Sequence, residues 1–311
     1  MNGITKEIFE NYQVRKTKKQ KEAFRAFLTD VATREGYECH TEDAGKKAKN
    51  VIVGSPKDAK VVYTAHYDTC AAFILPNFIT PKCFPIYLLY QLFLSLVVYI
   101  IPFIMIAFLP ALIVEKTGSD ALGGVMFFLG YVALVLAAYL MVAGPANKHT
   151  ANDNTSGVTL LIDLMRAVPE EKRDEVAFIF FDLEEMGLIG SQYYKKKHKK
   201  EMEKKLLINF DCVSDGKNIL FVVNKKAREY EAALRAAFPS TDTISVDVAL
   251  KGVFYPSDQK SFNMGIGVAA LKKTKWGLLY MDKIHTPRDT AYDEENIAYL
   301  VEGAVRLVDI I

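Results

Sequence analysis

The chain has 311 residues, half of them apolar and 24% charged, and its formal net charge is +2. This length accommodates one large domain or two ordinary ones, and the composition excludes a disordered, collagen-like or repeat chain. The near-neutral charge argues against a dedicated nucleic-acid-binding protein. The four cysteines show no CxxC spacing, which favours a reducing compartment.

The N-terminal region predicts a helix followed by a buried strand. Apolar residues between positions 5 and 34 fall roughly on one side of a helix. The run KVVYTAHYD (60–68) is apolar, rich in β-formers and ends in polar residues. Residues 1–21 lack the apolar core of a signal peptide. The basic stretches 15–21 and 195–205 are compatible with solvated helix faces or with contact with anionic lipid.

Residues 84–144 interrupt this polar chain with an apolar insert that carries only three charges, on Glu115, Lys116 and Asp120. The charge-free runs 84–114 and 121–147 each exceed the about 20 residues that a helix needs to cross a bilayer, whereas buried core helices rarely exceed about 14 uninterrupted apolar residues. We therefore predict a two-helix transmembrane insert at 84–144 within a discontinuous domain formed by 1–83 and 145–311.

Two spans put both parts of the domain on the same side of the membrane. The loop between the spans, EKTGSD, carries one lysine against two acids, whereas Lys82 and Lys148 flank the domain side. The positive-inside rule therefore predicts a cell-membrane protein with its domain in the cytoplasm.

The rest of the chain alternates between strand-like and helix-like segments. Further apolar runs, EVAFIFFDLEE, KLLINFDCV and NILFVVN, alternate with helical stretches at 157–167, 187–204, 226–237 and 292–310. This pattern predicts an α/β domain with a mixed, largely parallel central sheet flanked by helices. Ligands bind beyond the carboxyl ends of such strands, where these runs carry their charged residues.

Imidazoles and carboxylates cluster at the predicted strand ends and loops. They lie in five stretches: His66-Tyr67-Asp68, Asn152-Asp153-Asn154, Glu184-Glu185, Asp211 and the HTPRDT stretch from His285. Each stretch alone has a structural interpretation, such as a helix cap at Asp153. Together they supply two histidines and three carboxylates, enough for two metal ions that share a bridging carboxylate. Asp68 is left to orient His66, and one glutamate is left to take a proton from a water.

In order and internal spacing, the stretches TAHYDT, ANDNTSGV, DLEEMGLIGS, NFDCV and HTPRDT resemble the di-zinc aminopeptidases, which share a fold with glutamate carboxypeptidases and glutaminyl cyclases. The resemblance covers residues 50–70 and 145–311. It implies a zinc-exopeptidase-like fold, and a metal-dependent aminopeptidase that removes N-terminal residues from peptides. It also implies two divalent metal ions as cofactors, with Zn²⁺ as the first expectation and Co²⁺ or Mn²⁺ as alternatives.

The resemblance further implies roles for individual residues. The implied metal ligands are His66 and Asp211 for one ion, Glu185 and His285 for the other, and Asp153 as the bridge. Glu184 is the implied general base and Asp68 the partner that orients His66. A cis peptide bond between Asp153 and Asn154 would also follow the family.

The chain departs from the family at two points near the substrate. It has Ser257-Asp258-Gln259 where the family often has Ser-Asp-His, which leaves substrate preference open. The family commonly donates a tyrosine hydroxyl to the oxyanion, and Tyr255 is the nearest candidate. We therefore expect Tyr255 and Gln259 to lie near the substrate, and Cys70 to fill space rather than bind metal.

The position of the insert predicts where the site opens. The insert starts shortly after Asp68 and ends shortly before Asp153, so its ends must converge near the metal ions. We expect the cleft to open near the membrane surface, with 71–81 as an interfacial segment at its rim. The expected partners are the bilayer and peptides presented at a membrane; the oligomeric state is not predicted.

Three alternatives have different signatures. A single-zinc aminoacyl transferase similar to glutaminyl cyclases would not need both His66 and Asp211. A catalytically inactive scaffold of the same fold would have lost metal ligands, and none is lost here. A transporter is disfavoured because the two spans carry no intramembrane charge.

Overall fold

The computed structural model describes residues 1–45, 47–73 and 75–311. Its strands are, in chain order, β1 (Cys39–Ala44), β2 (Ala48–Val53), β3 (Val61–His66), β4 (Val176–Phe181), β5 (Leu206–Phe210), β6 (Asn218–Val223), β7 (Ser245–Ala249), β8 (Gly265–Lys273) and β9 (Leu279–Tyr280). The α-helices are α1 (Gly3–Asn11), α2 (Lys18–Arg34), α3 (Phe84–Thr117), α4 (Asp120–Ala143), α5 (Gly157–Ala167), α6 (Ile189–Lys197), α7 (Lys199–Met202), α8 (Glu231–Ala237) and α9 (Glu294–Ile310).

The strands form one mixed sheet in the order β1-β2-β4-β3-β5-β8-β6-β7, and β9 pairs with β8. The central strands β4, β3, β5 and β8 are parallel. Strand β2 pairs antiparallel with both β1 and β4, whereas β6 pairs antiparallel with β8 and parallel with β7. Every residue of β3, β4 and β5 is buried, which explains their uninterrupted apolar sequences. The predicted mixed, largely parallel sheet flanked by helices is confirmed, and its four central strands all end at one edge.

The single helix predicted for 5–34 is wrong. The chain forms α1 and α2 instead, because Thr17 begins a new helix by a reciprocal capping box with Gln20. The segment between the helices turns inward and buries Arg15 completely, and Lys21 is buried against Asp182 at 2.8 Å. Lipid contact by the two ends of the basic stretch 15–21 is therefore excluded.

Two long apolar helices, α3 and α4, project from the domain between β3 and α5. By length and composition both could cross a membrane, and most of their large apolar side chains are exposed. With a rise of about 1.5 Å per residue, α3 is about 51 Å long and α4 about 36 Å. The hydrocarbon core of a bilayer is about 30 Å thick, so α3 is long enough to extend well beyond it.

The ends of the insert meet at one place on the domain, as predicted. Ala71 and Ala146 form an antiparallel bridge, the amide of Ala72 donates to the carbonyl of Pro145, and the amide of Asn147 donates to the carbonyl of Cys70. Of the segment 71–81 predicted to be interfacial, residue 74 lies outside the described residues. The chain thus leaves and re-enters the domain between His66 and Asp153.

A glycine allows α9 to pack closely against the end of α8. A Cβ atom on Gly303 would lie 2.2 Å from two ring carbons of Phe238, which is itself buried against Phe221. We expect Gly303→Ala to lower the free energy of unfolding by about 1–3 kcal/mol, although alanine favours an isolated helix over glycine by about 1 kcal/mol. Urea-induced unfolding of the full chain in detergent measures this change.

The matched control is Gly3→Ala at the start of α1, where an added Cβ meets no atom within 4 Å. This variant should be at least as stable as the native chain. Equal stability of the Gly303→Ala variant and the native chain would contradict the close packing.

Candidate metal centre

The predicted site residues meet at the edge where the parallel strands end. His66 is the last residue of β3, Asp211 directly follows β5, and the Glu184–Glu185 pair lies in the loop after β4. Asp153 and His285 come from two loops beside this edge. The order of the strands therefore brings together residues that are far apart in the sequence.

The carboxylate of Asp153 lies between the two imidazoles. Its Oδ1 is 3.2 Å from Nε2 of His66, and its Oδ2 is 3.0 Å from Nε2 of His285. Oδ1 of Asp211 is 3.5 Å from Nε2 of His66, and Oε2 of Glu185 is 3.2 Å from Nε2 of His285. The structure thus brings all five predicted ligands into two groups that share Asp153.

These groups fit divalent metal ions. The potential ligand atoms of His66, Asp153 and Asp211 all lie within 4.8 Å of one another, as do those of the second group. Oε1 of Glu185 is buried without a hydrogen-bond partner among the described residues, and such an unpartnered atom is expected where an ion binds. Imidazole and carboxylate donors are the usual ligands of catalytic zinc.

Cys70 is a further donor near the second group, although the sequence analysis did not count it as a ligand. Its Sγ lies within 4.8 Å of ligand atoms of Asp153, Glu185 and His285, and the residue is buried. Its position directly after the HYDT motif was the available signal. The expectation that it only fills space stays a prediction.

Burial and the density of negative charge shape the electrostatics of the site. Burial raises the pKa of Glu185 to about 8 and raises the pKa of Glu184 well above its usual range. Burial opposes the charged form of His285, but Glu185 and Asp153 overcome this and raise its pKa to about 9. The carboxylates therefore favour positive charge at their centre, as divalent cations would provide.

Asp68 contacts more than the imidazole it was predicted to orient. Its Oδ1 is 3.5 Å from Nδ1 of His66, an ion-pair distance without hydrogen-bond geometry. Its two oxygens accept the backbone amides of Glu184 at 3.0 Å and Glu185 at 3.3 Å. Asp68 therefore fixes the glutamate pair relative to His66.

Asp289 holds the loop of Asp153 in place, a role that the sequence analysis missed. Its carboxylate accepts the backbone amides of Asn152 and Asp153, both at 2.9 Å, and it is 1% exposed. The peptide bond between Asp153 and Asn154 is cis, as the resemblance implied. The sequence signal for Asp289 was its place in the HTPRDT stretch, four residues after His285.

Arg15 is a second residue that sequence reasoning missed, because its neighbours form a basic stretch typical of a surface. Its guanidinium donates to the carbonyls of Tyr67 and Tyr12 and to Oγ1 of Thr155. Burial lowers its pKa to about 10, while the charges of Asp68 and Asp153 favour its protonated form. Arg15 thus remains a buried cation behind the site.

The two residues predicted to lie near the substrate are both buried. The hydroxyl of Tyr255 donates to the backbone carbonyl of Asp211 at 3.0 Å, and the amide nitrogen of Gln259 donates to the carbonyl of Tyr255 at 2.9 Å. These contacts hold the loop that carries Asp211. Roles of Tyr255 and Gln259 toward a substrate stay predictions.

A mixed α/β sheet with histidines and carboxylates at its carboxyl edge defines the class of zinc-exopeptidase-like proteins. The profile described as Peptidase family M28 matches residues 134–301, which is more than half of the chain. The chain belongs to this family, so the predicted family is confirmed. The matched region includes Asp153, Glu184, Glu185, Asp211 and His285.

Solved structures share the fold at low sequence identity. The LapA aminopeptidase of Legionella pneumophila is 13% identical, with 98% of this chain and 69% of that chain covered at a TM-score of 0.57. Glutaminyl cyclase of Porphyromonas gingivalis is 16% identical, with 98% of both chains covered at 0.56. A Zn-dependent exopeptidase of Parabacteroides distasonis is 14% identical, with 98% of this chain and 97% of that chain covered at 0.56. A search of curated protein sequences found no match.

Asp289 generates a prediction about metal affinity. In Asp289→Asn an amide group replaces one of the carboxylate oxygens that accept the backbone amides of Asn152 and Asp153. Loss of a residue that orients a ligand typically weakens metal binding about 10- to 100-fold, so we expect at least a tenfold loss of zinc affinity. Competition with a chromophoric zinc chelator measures the affinity.

The control for this variant is Asp242→Asn, which changes an exposed aspartate in the turn before β7. Its zinc affinity should equal that of the native chain. A native affinity in the Asp289→Asn variant would show that Asp289 does not position the bridging ligand.

Proposed function

We propose that this protein is a membrane-anchored aminopeptidase that removes N-terminal residues from peptides with the help of two divalent metal ions, Zn²⁺ foremost and Co²⁺ or Mn²⁺ as alternatives. The observation that carries the proposal is the carboxylate of Asp153, whose two oxygens face two imidazoles. Nε2 of His66 also lies near the carboxylate of Asp211, and Nε2 of His285 near that of Glu185. Membership of Peptidase family M28 supports peptide hydrolysis.

The proposed ligands are His66 and Asp211 for one ion, Glu185 and His285 for the other, and Asp153 for both. When bound, the ions would supply the Lewis acidity that activates a water and polarises the scissile carbonyl. Asp68 fixes the Glu184–Glu185 backbone, and Asp289 fixes that of Asp153. The protein thereby holds its donors in place before a substrate arrives.

Glu184 is the proposed general base. A carboxylate oxygen of Glu184 lies within 4.8 Å of ligand atoms of His66 and Glu185, which places it beside the proposed metal ions. It would accept a proton from the attacking water and pass it to the peptide nitrogen as the C–N bond breaks. The products are a free amino acid and a peptide shortened by one residue.

A second candidate is a single-zinc aminoacyl transferase, because glutaminyl cyclases are among the solved structures with this fold. Such an enzyme would need one ligand group. Here His66, Asp153 and Asp211 form a group in addition to the one that contains Glu185 and His285. An inactive scaffold of the same fold is the third candidate, and the complete set of donors argues against it.

The roles of these residues predict the behaviour of Glu184→Gln. This variant should bind two metal ions per chain but lose at least about 100-fold in kcat, since general-base catalysis contributes about 10²- to 10⁴-fold. Elemental mass spectrometry of the full chain, purified in detergent without chelator, measures metal content. Hydrolysis of leucine p-nitroanilide measures turnover.

The control is Glu203→Gln, at an exposed glutamate in the segment after α7, which should match the native chain in both assays. Full turnover by the Glu184→Gln variant would remove Glu184 as the base. About one ion per native chain after metal re-addition, with cyclisation of an N-terminal glutamine peptide, would favour the transferase. No metal after re-addition would favour the scaffold.

We further propose that residues 84–144 form a membrane anchor inserted into a peptidase domain of 1–83 and 145–311. The exposed apolar surfaces of α3 and α4 support this arrangement. The first turns of α3 pack on the domain, since the rings of Phe84 and Tyr87 lie 5.6 and 5.2 Å from that of Phe254. The lysines at the base of the insert favour a cytoplasmic domain by the positive-inside rule.

A ribbon formed by β8 and β9 extends beyond the sheet beside α3. The ring of Phe78 lies 5.5 Å from that of Tyr90 on α3 and 5.6 Å from that of Tyr280 on β9. Trp276, in the loop of the ribbon, is 83% exposed, and the ammonium of Lys275 lies 4.7 Å from its ring centroid. Tryptophan and lysine are typical of the headgroup region of a membrane. The ribbon therefore supports the proposal that the membrane surface lies near Tyr90, at the start of α3.

Trp276 is the only tryptophan in the chain, so it reports on this arrangement directly. In nanodiscs of lipids brominated on their acyl chains, we expect its fluorescence to be quenched by at least about a third relative to unbrominated lipid, since indole rings settle at the membrane interface. Steady-state emission measures the quenching.

The control is the double variant Trp276→Phe, Ile310→Trp. Ile310 is exposed at the end of α9, where Asp309 pairs with Lys172 just before the start of β4, at the opposite edge of the sheet. The tryptophan introduced at position 310 should show no quenching by the brominated lipid. Equal emission of Trp276 in both lipids would count against contact of the ribbon with the membrane.

A further inference from the structure

A cavity of about 590 Å³ lies where the insert joins the domain. Its walls come from α3, α4 and the described residues of the segment 72–75, and most of the lining side chains are apolar. The volume lies within the range of about 300–1,000 Å³ that is typical of ligand sites. The cavity is therefore large enough to hold several apolar side chains of a ligand.

One wall of the cavity is joined to the metal centre. Phe73 lines the cavity, its backbone amide donates to the carbonyl of His285 at 2.7 Å, and the two rings are 6.5 Å apart. Cys70, whose Sγ lies among the ligand atoms of the second group, precedes Phe73 by three residues. A chain leaving the metal centre past Phe73 would enter the cavity.

The cavity is also lined by the polar side chains of an otherwise apolar helix. Within 84–114, Gln91 and Ser95 are the only polar side chains that are neither aromatic nor charged. They are one turn apart, and both line the cavity together with Tyr99, whose hydroxyl donates to Sδ of Met141. A π-helical turn at Leu96–Ile100 follows Ser95 directly, and such turns are frequent at functional sites.

Gln91 and Ser95 indicate what the cavity binds. Neither side chain hydrogen-bonds to any other described residue, so both have polar atoms available to a ligand in the cavity. A lipid acyl chain would offer them no hydrogen bond. An extended peptide would, because its backbone N–H and C=O groups all need partners where water is scarce.

We propose that this cavity binds the apolar stretch of a membrane peptide, on the C-terminal side of the bond that is cut. The insert is then part of the substrate site as well as an anchor. Gln91 and Ser95 hydrogen-bond the peptide backbone, and the apolar walls contact its side chains. This inference rests on the proposed aminopeptidase function, and it specifies membrane-embedded peptides as the substrate class.

The test compares two substrates with the same N-terminal leucine, using the full chain in phosphatidylcholine nanodiscs. One is leucine p-nitroanilide, which is too short to reach the cavity, and the other is a leucine- and alanine-rich peptide of about 20 residues, long enough to span a bilayer. In Gln91→Leu combined with Ser95→Ala, the ratio of kcat/KM for the long substrate to that for the short one should fall about tenfold, because two hydrogen bonds are lost.

A second variant and a control distinguish a loss of substrate binding from misfolding of the double variant. Ala137→Phe adds a ring to the wall formed by α4, so the same ratio should fall at least as far. Leu92→Ala changes an exposed residue on the same turn of α3 as Gln91, outside the cavity, and should leave the ratio unchanged. A native ratio in both cavity variants would overturn the inference, as would a native chain that cuts only the short substrate.

Binding is measured separately so that failure of the peptidase function can be recognised. A 20-residue peptide carrying a photoreactive leucine near its N-terminus should cross-link to α3 or α4 of the native chain and lose at least about half of this labelling in the Gln91 and Ser95 double variant. Cross-linking without hydrolysis would keep the cavity as a peptide site and reject the aminopeptidase. Native labelling of the double variant, or labelling confined to other regions, would overturn the inference whatever the activity.

Discussion

The buried carboxylate of Asp153 requires positive charge on both sides, and much of the surrounding structure depends on this requirement. Unpaired buried charge is costly, so the two imidazoles that face its oxygens are part of the fold as well as of the site. Asp289 fixes the backbone of Asp153, and Arg15 adds a buried cation behind the site. The parallel strands β3, β4 and β5 bring His66, the Glu184–Glu185 pair and Asp211 to this point because they all end at one edge of the sheet.

The site and the insert are linked through the backbone, because the insert lies between two of the proposed metal ligands, His66 and Asp153. The backbone between His66 and Asp153 contains both the hydrogen-bonded base of the insert and the segment that carries Cys70 and Phe73. Movement of the segment at the base of the insert would displace the backbone beside His285, because the amide of Phe73 donates to the carbonyl of His285. The polar side chains of Gln91 and Ser95 face a cavity at this base, which gives the insert a chemical feature that an anchor alone would not need.

Sequence patterns predicted several of the elements whose cause is local, although they missed β8, which is also largely buried. The strands β3, β4 and β5 are buried throughout, so their apolar runs are unmistakable. The edge strand β1 has the polar sequence CHTEDA and was missed, because its pairing with β2 depends on a neighbour rather than on its own composition. The break between α1 and α2 was missed because helical periodicity continues across it.

The sequence by itself determined the chemistry of this protein: the donor residues, their order along the chain, the family they resemble and two helices long enough to span a membrane. Only the tertiary structure decided which oxygen of Asp153 faces which imidazole, why Arg15 is buried, and that Gln91 and Ser95 share a cavity with Phe73. The physical reason is that residue types and periodicity are properties of short segments. Distances between segments depend on strand order and packing, which no single segment specifies.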